Sequence, residues 1–329
     1  MSTPVTLITG FLGAGKTTLL NRLLKHPDLA ETAVLINEFG DVGLDHLLVE
    51  TLDDTTMLLA AGCLCCTIRG DLQKALMDLA MRIEAGQPIR RVMIETTGLA
   101  DPAPILHTLM SDPILLRRFR LDGVVTLVDA TNAMATLDNH PEALKQVAVA
   151  DRLILAKTDL APNTDALRAR LAQINPHAPI LGAEAPPAAL LGIGPFQLDA
   201  KLPDVAHWLG KEAGHHHAHH QHDRNRHDAH IHSFSLRYET PLTLDAVASF
   251  LEMLVTTRGD ALLRVKAILN IQGEDRPTVL HGVQHIFHPP IRLAAWPEGD
   301  DRSSRFVFIV KDLTRETVQR GLAAFIKAA

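Results

Sequence analysis

The chain has 329 residues, 47% of them apolar, and a formal net charge of -6. That length allows two domains of about 150 residues each, and the apolar share is enough for packed cores. An acidic balance without a long basic run argues against a nucleic-acid surface. No apolar stretch reaches the length of a membrane span, and no basic segment followed by a cleavable apolar one opens the chain. A cytoplasmic location is expected, with neither nucleic acid nor membrane as partner. The only three cysteines, Cys63, Cys65 and Cys66, fall within four positions, which excludes a disulfide framework and points to metal binding or redox chemistry.

In chain order, Val5–Thr9 reads as a short strand and Leu19–Leu24 as the start of a helix. Between them Gly10-Phe11-Leu12-Gly13-Ala14-Gly15-Lys16-Thr17-Thr18 matches G-x-x-x-x-G-K-[ST] in full. Strand, glycine loop, helix is the order a phosphate cradle requires. Glycine lets successive backbone N–H groups turn inward, and the helix N-terminus aims its positive end at the same spot. The cradle expected here runs over Gly13, Ala14, Gly15, Lys16, Thr17 and Thr18. Lys16 reaches the β- and γ-phosphates and the Thr17 hydroxyl binds Mg2+.

A second strand, Ala33–Ile36, runs into Asn37–Gly43, a polar loop that reads either as a switch sensing the last phosphate or as ordinary surface. Met57–Leu59 is a third apolar run, followed by Gly62-Cys63-Leu64-Cys65-Cys66-Thr67. Residues 71–83 then show helical periodicity, with Leu72, Ala75, Leu76, Leu79, Ala80 and Ile83 on one face. The cysteines therefore lie near a helix N-terminus, which favours thiolate. A fourth strand, Arg91–Ile94, delivers Glu95 to its carboxyl end, the position of a carboxylate in a Mg2+ shell. Gly98 lets a backbone N–H approach the γ-phosphate, and Asp101-Pro102 opens a helix. Strands at Val124–Val128 and Arg152–Leu155 end in Asp129 and in Ala156-Lys157-Thr158-Asp159, and helices are expected near 141–150 and 163–174. Residues 178–202 carry no clear pattern. The alternation predicts an α/β domain on a mostly parallel sheet, with ligands beyond the carboxyl ends of the strands.

Residues 215–232 hold nine of the 18 histidines in a low-complexity run that reads as a linker, either a metal antenna or inert. It separates residues 1–205 from residues 231–329, with 206–230 as the connection. The last part shows strands at 231–236, 261–271, 277–287 and 305–310 and helices at 244–254 and 314–326, the latter with Thr314 as a cap. This predicts a small α+β domain on one antiparallel sheet. His281, His285 and His288 are spaced suggestively, but on a continuous strand His285 and His288 point to opposite sides, so they read as ordinary structural histidines.

These motifs together resemble the CobW-type P-loop GTPases, relatives of the HypB and UreG metal-insertion GTPases. The resemblance is carried by 10–18, 36–40, 62–67, 95–102 and 157–160. It implies a nucleotide-gated metal chaperone or insertase, often linked to zinc and sometimes to cobalt, with GTP and Mg2+ as further ligands. It also implies a guanine-reading Asn-Lys-x-Asp motif, in which this chain has Ala156 for the asparagine and keeps Lys157 and Asp159. The Asp159 carboxylate can still accept from two guanine N–H donors, while the lost amide costs about 1 kcal/mol.

Three thiolates suit Zn2+, Cu+ and, less selectively, Co2+. Cys63, Cys65 and Cys66 can offer two or three sulfurs, and Glu38, in the candidate switch loop and supported by the resemblance, is the expected further ligand. Buried packing and redox exchange are the other readings of the cysteines. The function expected is GTP hydrolysis by Lys16, Thr17 and Glu95 coupled to delivery of zinc to a client metalloprotein, with a homodimer compatible. A cobalt-handling role in corrinoid synthesis, activation of a single metalloenzyme, and buffering by the histidine tract are the alternatives.

Overall fold

The computed structural model describes residues 2–37, 56–59, 66–161, 163–193, 231–296 and 299–328. Contacts divide the chain into two compact units, Met1–Arg168 with Pro179–Phe196, and Ala169–Ala178 with Gln197–Ala329.

In the first unit, seven strands form a sheet in the order β3-β2-β4-β1-β5-β6-β7. They are β1 (Thr3–Gly10), β2 (Thr32–Asn37), β3 (Thr56–Leu59), β4 (Arg91–Glu95), β5 (Phe119–Asp129), β6 (Arg152–Ala156) and β7 (Ile180–Gly182). Every pairing is parallel. Seven of the eight β1 residues are buried, as a central strand covered on both faces requires. Helices α1 (Lys16–Leu24), α2 (Cys66–Glu84), α3 (Ala103–Ser111), α4 (Leu115–Arg118), α5 (Ala133–Asn139), α6 (Pro141–Ala148) and α8 (Pro187–Leu190) connect the strands, as does α7 (Asp165–Ile174), whose residues from Ala169 on belong to the second unit. One core joins Leu19, Leu20 and Leu23 of α1 to Ile8, Ile36, Met93, Val125 and Ile154 of the sheet. The chain leaves β1 for β2 and β3, returns to β4 beside β1, and crosses to β5 on the other side. The carboxyl end of β1 is thus at the point where the strand order reverses, the usual crevice of open α/β sheets.

The stretch 178–202, which shows no pattern in sequence, contains β7 and α8 in its described part. At three and four residues they are too short for periodicity to register. The short helices α4 and α5 escape the sequence reading for the same reason.

A buried carboxylate locks the sheet. Asp122 is the extra residue of an irregularity in β5, where the register passes from Val5↔Leu121 to Thr6↔Gly123. Its Oδ2 accepts from Arg91 Nη1 at 2.6 Å, Thr6 Oγ1 at 3.1 Å and Gly192 N at 2.9 Å. One side chain so ties β4, β1 and the segment after α8 to β5.

In the second unit, β8 (Ile231–Tyr238), β9 (Leu262–Leu269), β10 (Thr278–Val283), β11 (Ile286–Phe287) and β13 (Ser304–Lys311) form a sheet in the order β11-β10-β9-β13-β8, and β12 (Ile291–Arg292) pairs with β10. All pairings are antiparallel. Helices Leu244–Arg258 and Arg315–Ala328 cover one face, packing Val247, Phe250, Leu254, Val318 and Leu322 with Val265, Ala267, Phe306 and Phe308. Both are capped by threonine: Thr243 Oγ1 accepts from Ala246 N and Thr314 Oγ1 from Thr317 N, each at 3.3 Å.

The strand expected over 277–287 is instead a hairpin. Gln284 takes a left-handed backbone with φ 52°, and β11 folds back on β10 with Val283↔Ile286 and Gly282↔Phe287. Turns of this kind are usually announced by Asn-Gly or Asp-Gly. Gln284-His285 carries no such signal, so the run reads as continuous. His285 accordingly sits in the turn. His281 is buried on β10, and burial holds His288 below the usual imidazole range.

Candidate functional site

Gly10 closes β1 against β5 so tightly that a Cβ there would lie 2.5 Å from Leu127 O. Gly15, with φ 94°, is the left-handed N-cap of α1. The intervening chain turns through Ala14 N donating to Phe11 O at 3.1 Å. Lys16, the first residue of α1, is buried, and its Nζ reaches back over the loop to Phe11 O at 3.4 Å. Thr17 Oγ1 donates to Glu95 Oε1 at 2.8 Å, and Glu95 is only 2% exposed at the end of β4. Beyond it Thr96 N donates to Ile8 O at 3.0 Å and Thr96 Oγ1 to Thr9 Oγ1 at 2.8 Å. These bonds extend the β1–β4 contact to the edge of the phosphate loop.

Gly98 has a second reason to be glycine. A Cβ there would lie 2.5 Å from Leu12 N and 2.6 Å from Leu12 Cα, so the chain after β4 and the phosphate loop touch backbone to backbone. Helix α6 holds that chain in place. Gln146, 1% exposed, donates from Nε2 to Gly98 O and Ala100 O, both at 3.0 Å. Lys145 Nζ pairs with Asp101 Oδ2 at 2.7 Å.

On the other side of the phosphate loop a cavity of about 220 Å³ is lined by Ala14, Thr18, Ala156, Lys157, Asp159 and Glu184, among others. It brings the loop after β6 together with the N-terminal turn of α1. Asp159 is exposed on its wall. Arg22 Nη2 of α1 donates to Ala185 O at 2.8 Å, holding the chain that carries Glu184. Lys157 adopts φ 58°, and its Nζ contacts Asp129 Oδ2 at 2.8 Å. Burial works against ionisation of Asp129, but the bonds from Lys157, Thr131 and Asn132 outweigh it and bring its pKa down to about 2.

The structure thus brings Lys16, Thr17, Glu95 and Gly98 together on one side of the loop, and Lys157 and Asp159 to the other. Glu38, Cys63 and Cys65 lie outside the described residues, as does the tract 206–230. Cys66 is the first residue of α2. Among the described residues, no group of three or more His, Cys, Asp and Glu side chains is placed to hold a metal ion, and no helix is long and apolar enough to cross a membrane. Gln146, Arg22, Glu184 and the pairing of Asp129 escape the sequence reading. Only Asp129 leaves a trace there, as an acid ending an apolar strand.

A glycine loop opening the helix after the central strand, with a threonine bonded to a buried acid on the next strand, defines a P-loop nucleotide-binding protein. Residues 4–182 match the model of the CobW/HypB/UreG nucleotide-binding domain, and residues 231–326 that of the cobalamin synthesis protein cobW C-terminal domain. The chain belongs to the CobW/HypB/UreG family. It is 36% identical over 333 residues to the zinc chaperone YjiA of Escherichia coli, covering 98% of each chain. It is 28% identical over 361 residues to the zinc chaperone CobW of a Sinorhizobium species, covering 98% of this chain and 97% of the relative. Among solved structures it is similar to the Zn(II)-bound YjiA GTPase of E. coli, with a TM-score of 0.72, 30% identity and 99% of each chain covered. A Zn(II)-bound triple mutant of YjiA, with one glutamate and two cysteines replaced by alanine, gives a TM-score of 0.73 at 30% identity, again over 99% of each chain.

Proposed function

We propose that this chain is a cytoplasmic GTP-hydrolysing metallochaperone that binds a transition metal, zinc foremost, and delivers it to a client metalloprotein. The observation that carries the reading is the Thr17–Glu95 contact beneath an intact phosphate loop, in a chain similar along its whole length to a zinc chaperone. The proposal divides the chain into a GTPase domain, 1–205, a histidine-rich connection, 206–230, and a C-terminal domain, 231–329.

Lys16 neutralises the β- and γ-phosphates, and the backbone of Gly13, Ala14, Gly15, Lys16, Thr17 and Thr18 cradles them. The Thr17 hydroxyl and the buried Glu95 carboxylate fit Mg2+, a cation held by oxygen. When bound, that cation offsets charge on the β- and γ-oxygens. Gly98 presents its backbone to the last phosphate. Asp159 accepts from the guanine N–H groups and Lys157 lies beside the base. No residue of the sequence stands out as an arginine finger or as a glutamine that would position the attacking water. Slow basal turnover follows, accelerated by metal or client.

Cys63, Cys65 and Cys66, with Glu38, hold the cargo, Zn2+ or less selectively Co2+. Titrating Zn2+ and Co2+ into protein loaded with an unhydrolysable GTP analogue or with GDP tests the reading. A difference in metal affinity between the two states is expected, and equal affinities would remove the gating. A second reading, storage by the histidine tract, is favoured by the relative that still carries Zn(II) after loss of a glutamate and two cysteines. Deleting residues 215–230 separates the two. Delivery through the cysteines predicts that metal-stimulated turnover survives the deletion.

A further inference from the structure

Ala156 leaves the base-reading loop without the side-chain amide that an asparagine would supply, yet Lys157 within it has a left-handed backbone that an L side chain adopts only under constraint. We propose that Asp129 takes over this support: as a positioning residue on β5 it pins Lys157, and through Lys157 sets the Asp159 carboxylate that discriminates guanine from adenine. The proposal rests on the reading of the chain as a GTPase.

The placement is direct. Asp129 pairs with Ala156 in the register of β5 and β6, and Ala130 N donates to Ala156 O at 3.0 Å, so the two strand ends are tied before the loop begins. Asp129 is the fixed partner, with 11% side-chain exposure against 38% for Lys157. Its Oδ1 accepts from Thr131 N at 2.9 Å and Thr131 Oγ1 at 2.6 Å, and its Oδ2 from Asn132 Nδ2 at 3.1 Å as well as from Lys157 Nζ at 2.8 Å. A carboxylate held by three donors besides the lysine cannot swing to follow it, so the lysine must stay with the carboxylate. Beyond Lys157 the chain turns at once, with Leu160 N donating to Lys157 O at 3.1 Å, and this turn places Asp159 on the cavity wall with Ala14 and Thr18. An asparagine at 156 would brace the loop from within. Here the brace comes from the neighbouring strand.

Steady-state hydrolysis of GTP and ATP by the full chain, with the melting temperature of each variant, tests this. Asp129→Asn keeps the shape and removes the charge. It is expected to raise the KM for GTP about five- to tenfold, as loss of one charge-assisted bond does, with kcat within about twofold and the KM for ATP unmoved. Adding Ala156→Asn to Asp129→Asn should recover most of the loss, a rescue that a purely structural role would not give. If Asp129→Asn fails to fold, Lys157→Gln breaks the same pair from the other side and should narrow GTP over ATP by a similar factor. An unchanged GTP/ATP ratio in a folded variant, or equal losses for both nucleotides, would overturn the proposal. A parent chain that does not prefer GTP overturns it too, and does so by removing the GTPase reading itself, an outcome visible before any variant is made.

Discussion

At the scale of single residues, the site depends on contacts that leave little room for substitution. The Gly98 Cβ position falls 2.5 Å from the backbone of Leu12, and backbone cannot rotate away as a side chain can. Gly98→Ala is therefore expected to displace the phosphate loop, at a cost of about 1–3 kcal/mol in stability, and to lower GTP turnover by more than the stability loss alone explains. Urea unfolding beside kinetics checks this. Lys16→Ala removes the cation meant for the β- and γ-phosphates, and should lower kcat/KM for GTP on the order of a hundredfold while leaving the thermal unfolding profile near that of the parent. The Asp129 carboxyl has its pKa lowered from 3.8 to about 2. A depressed folded value means stability that is fully present above the unfolded pKa and is lost as pH falls from there through the folded one. With about 1.4 kcal/mol per unit, the contribution is about 2–3 kcal/mol near neutrality. The unfolding difference between parent and Asp129→Asn should be constant from pH 5 to 8 and shrink between about pH 4 and 2.

Elements bring these residues together, and each does so through a side chain that sequence reading assigns no role. Helix α6 holds the segment after β4 by Gln146. Gln146→Ala strips one buried and one part-buried carbonyl of their donor, at about 1–3 kcal/mol, and is expected to reduce turnover, measurable as a fall in kcat at saturating GTP. The sheet has its own clamp in Asp122, bonded to Arg91, Thr6 and the Gly192 backbone. Removing one partner of a buried ion pair strands the other, so Asp122→Ala should cost about 3–5 kcal/mol. The loss should appear in denaturant midpoint without a change in nucleotide selectivity, because the clamp lies away from the base cavity. Periodicity could not foresee either role. It reports which face of an element is buried, and says nothing about which far segment lies against that face.

For the whole molecule, coupling between nucleotide and metal is reciprocal if it exists. Whatever factor separates zinc affinity in the GTP-analogue and GDP states must also separate the two nucleotide affinities when zinc is bound. Measuring both arms by calorimetry should give the same factor. The sequence by itself determined the phosphate loop, the acid at the end of β4, the βα alternation, and, in the second unit, β8, β9, β13 and both long helices. All of these are written in spacings of a few residues, where chain geometry converts sequence directly into neighbours. The tertiary structure alone decided that Gly98 touches Leu12, that Asp129 holds Lys157, that Arg22 braces the Glu184 segment, and that residues 277–287 are a hairpin. The first three join positions far apart in the chain, whose proximity depends on the order in which strands pair, and strand order is not a local property. The fourth is local, but it turns on a left-handed backbone at a glutamine, which composition does not announce.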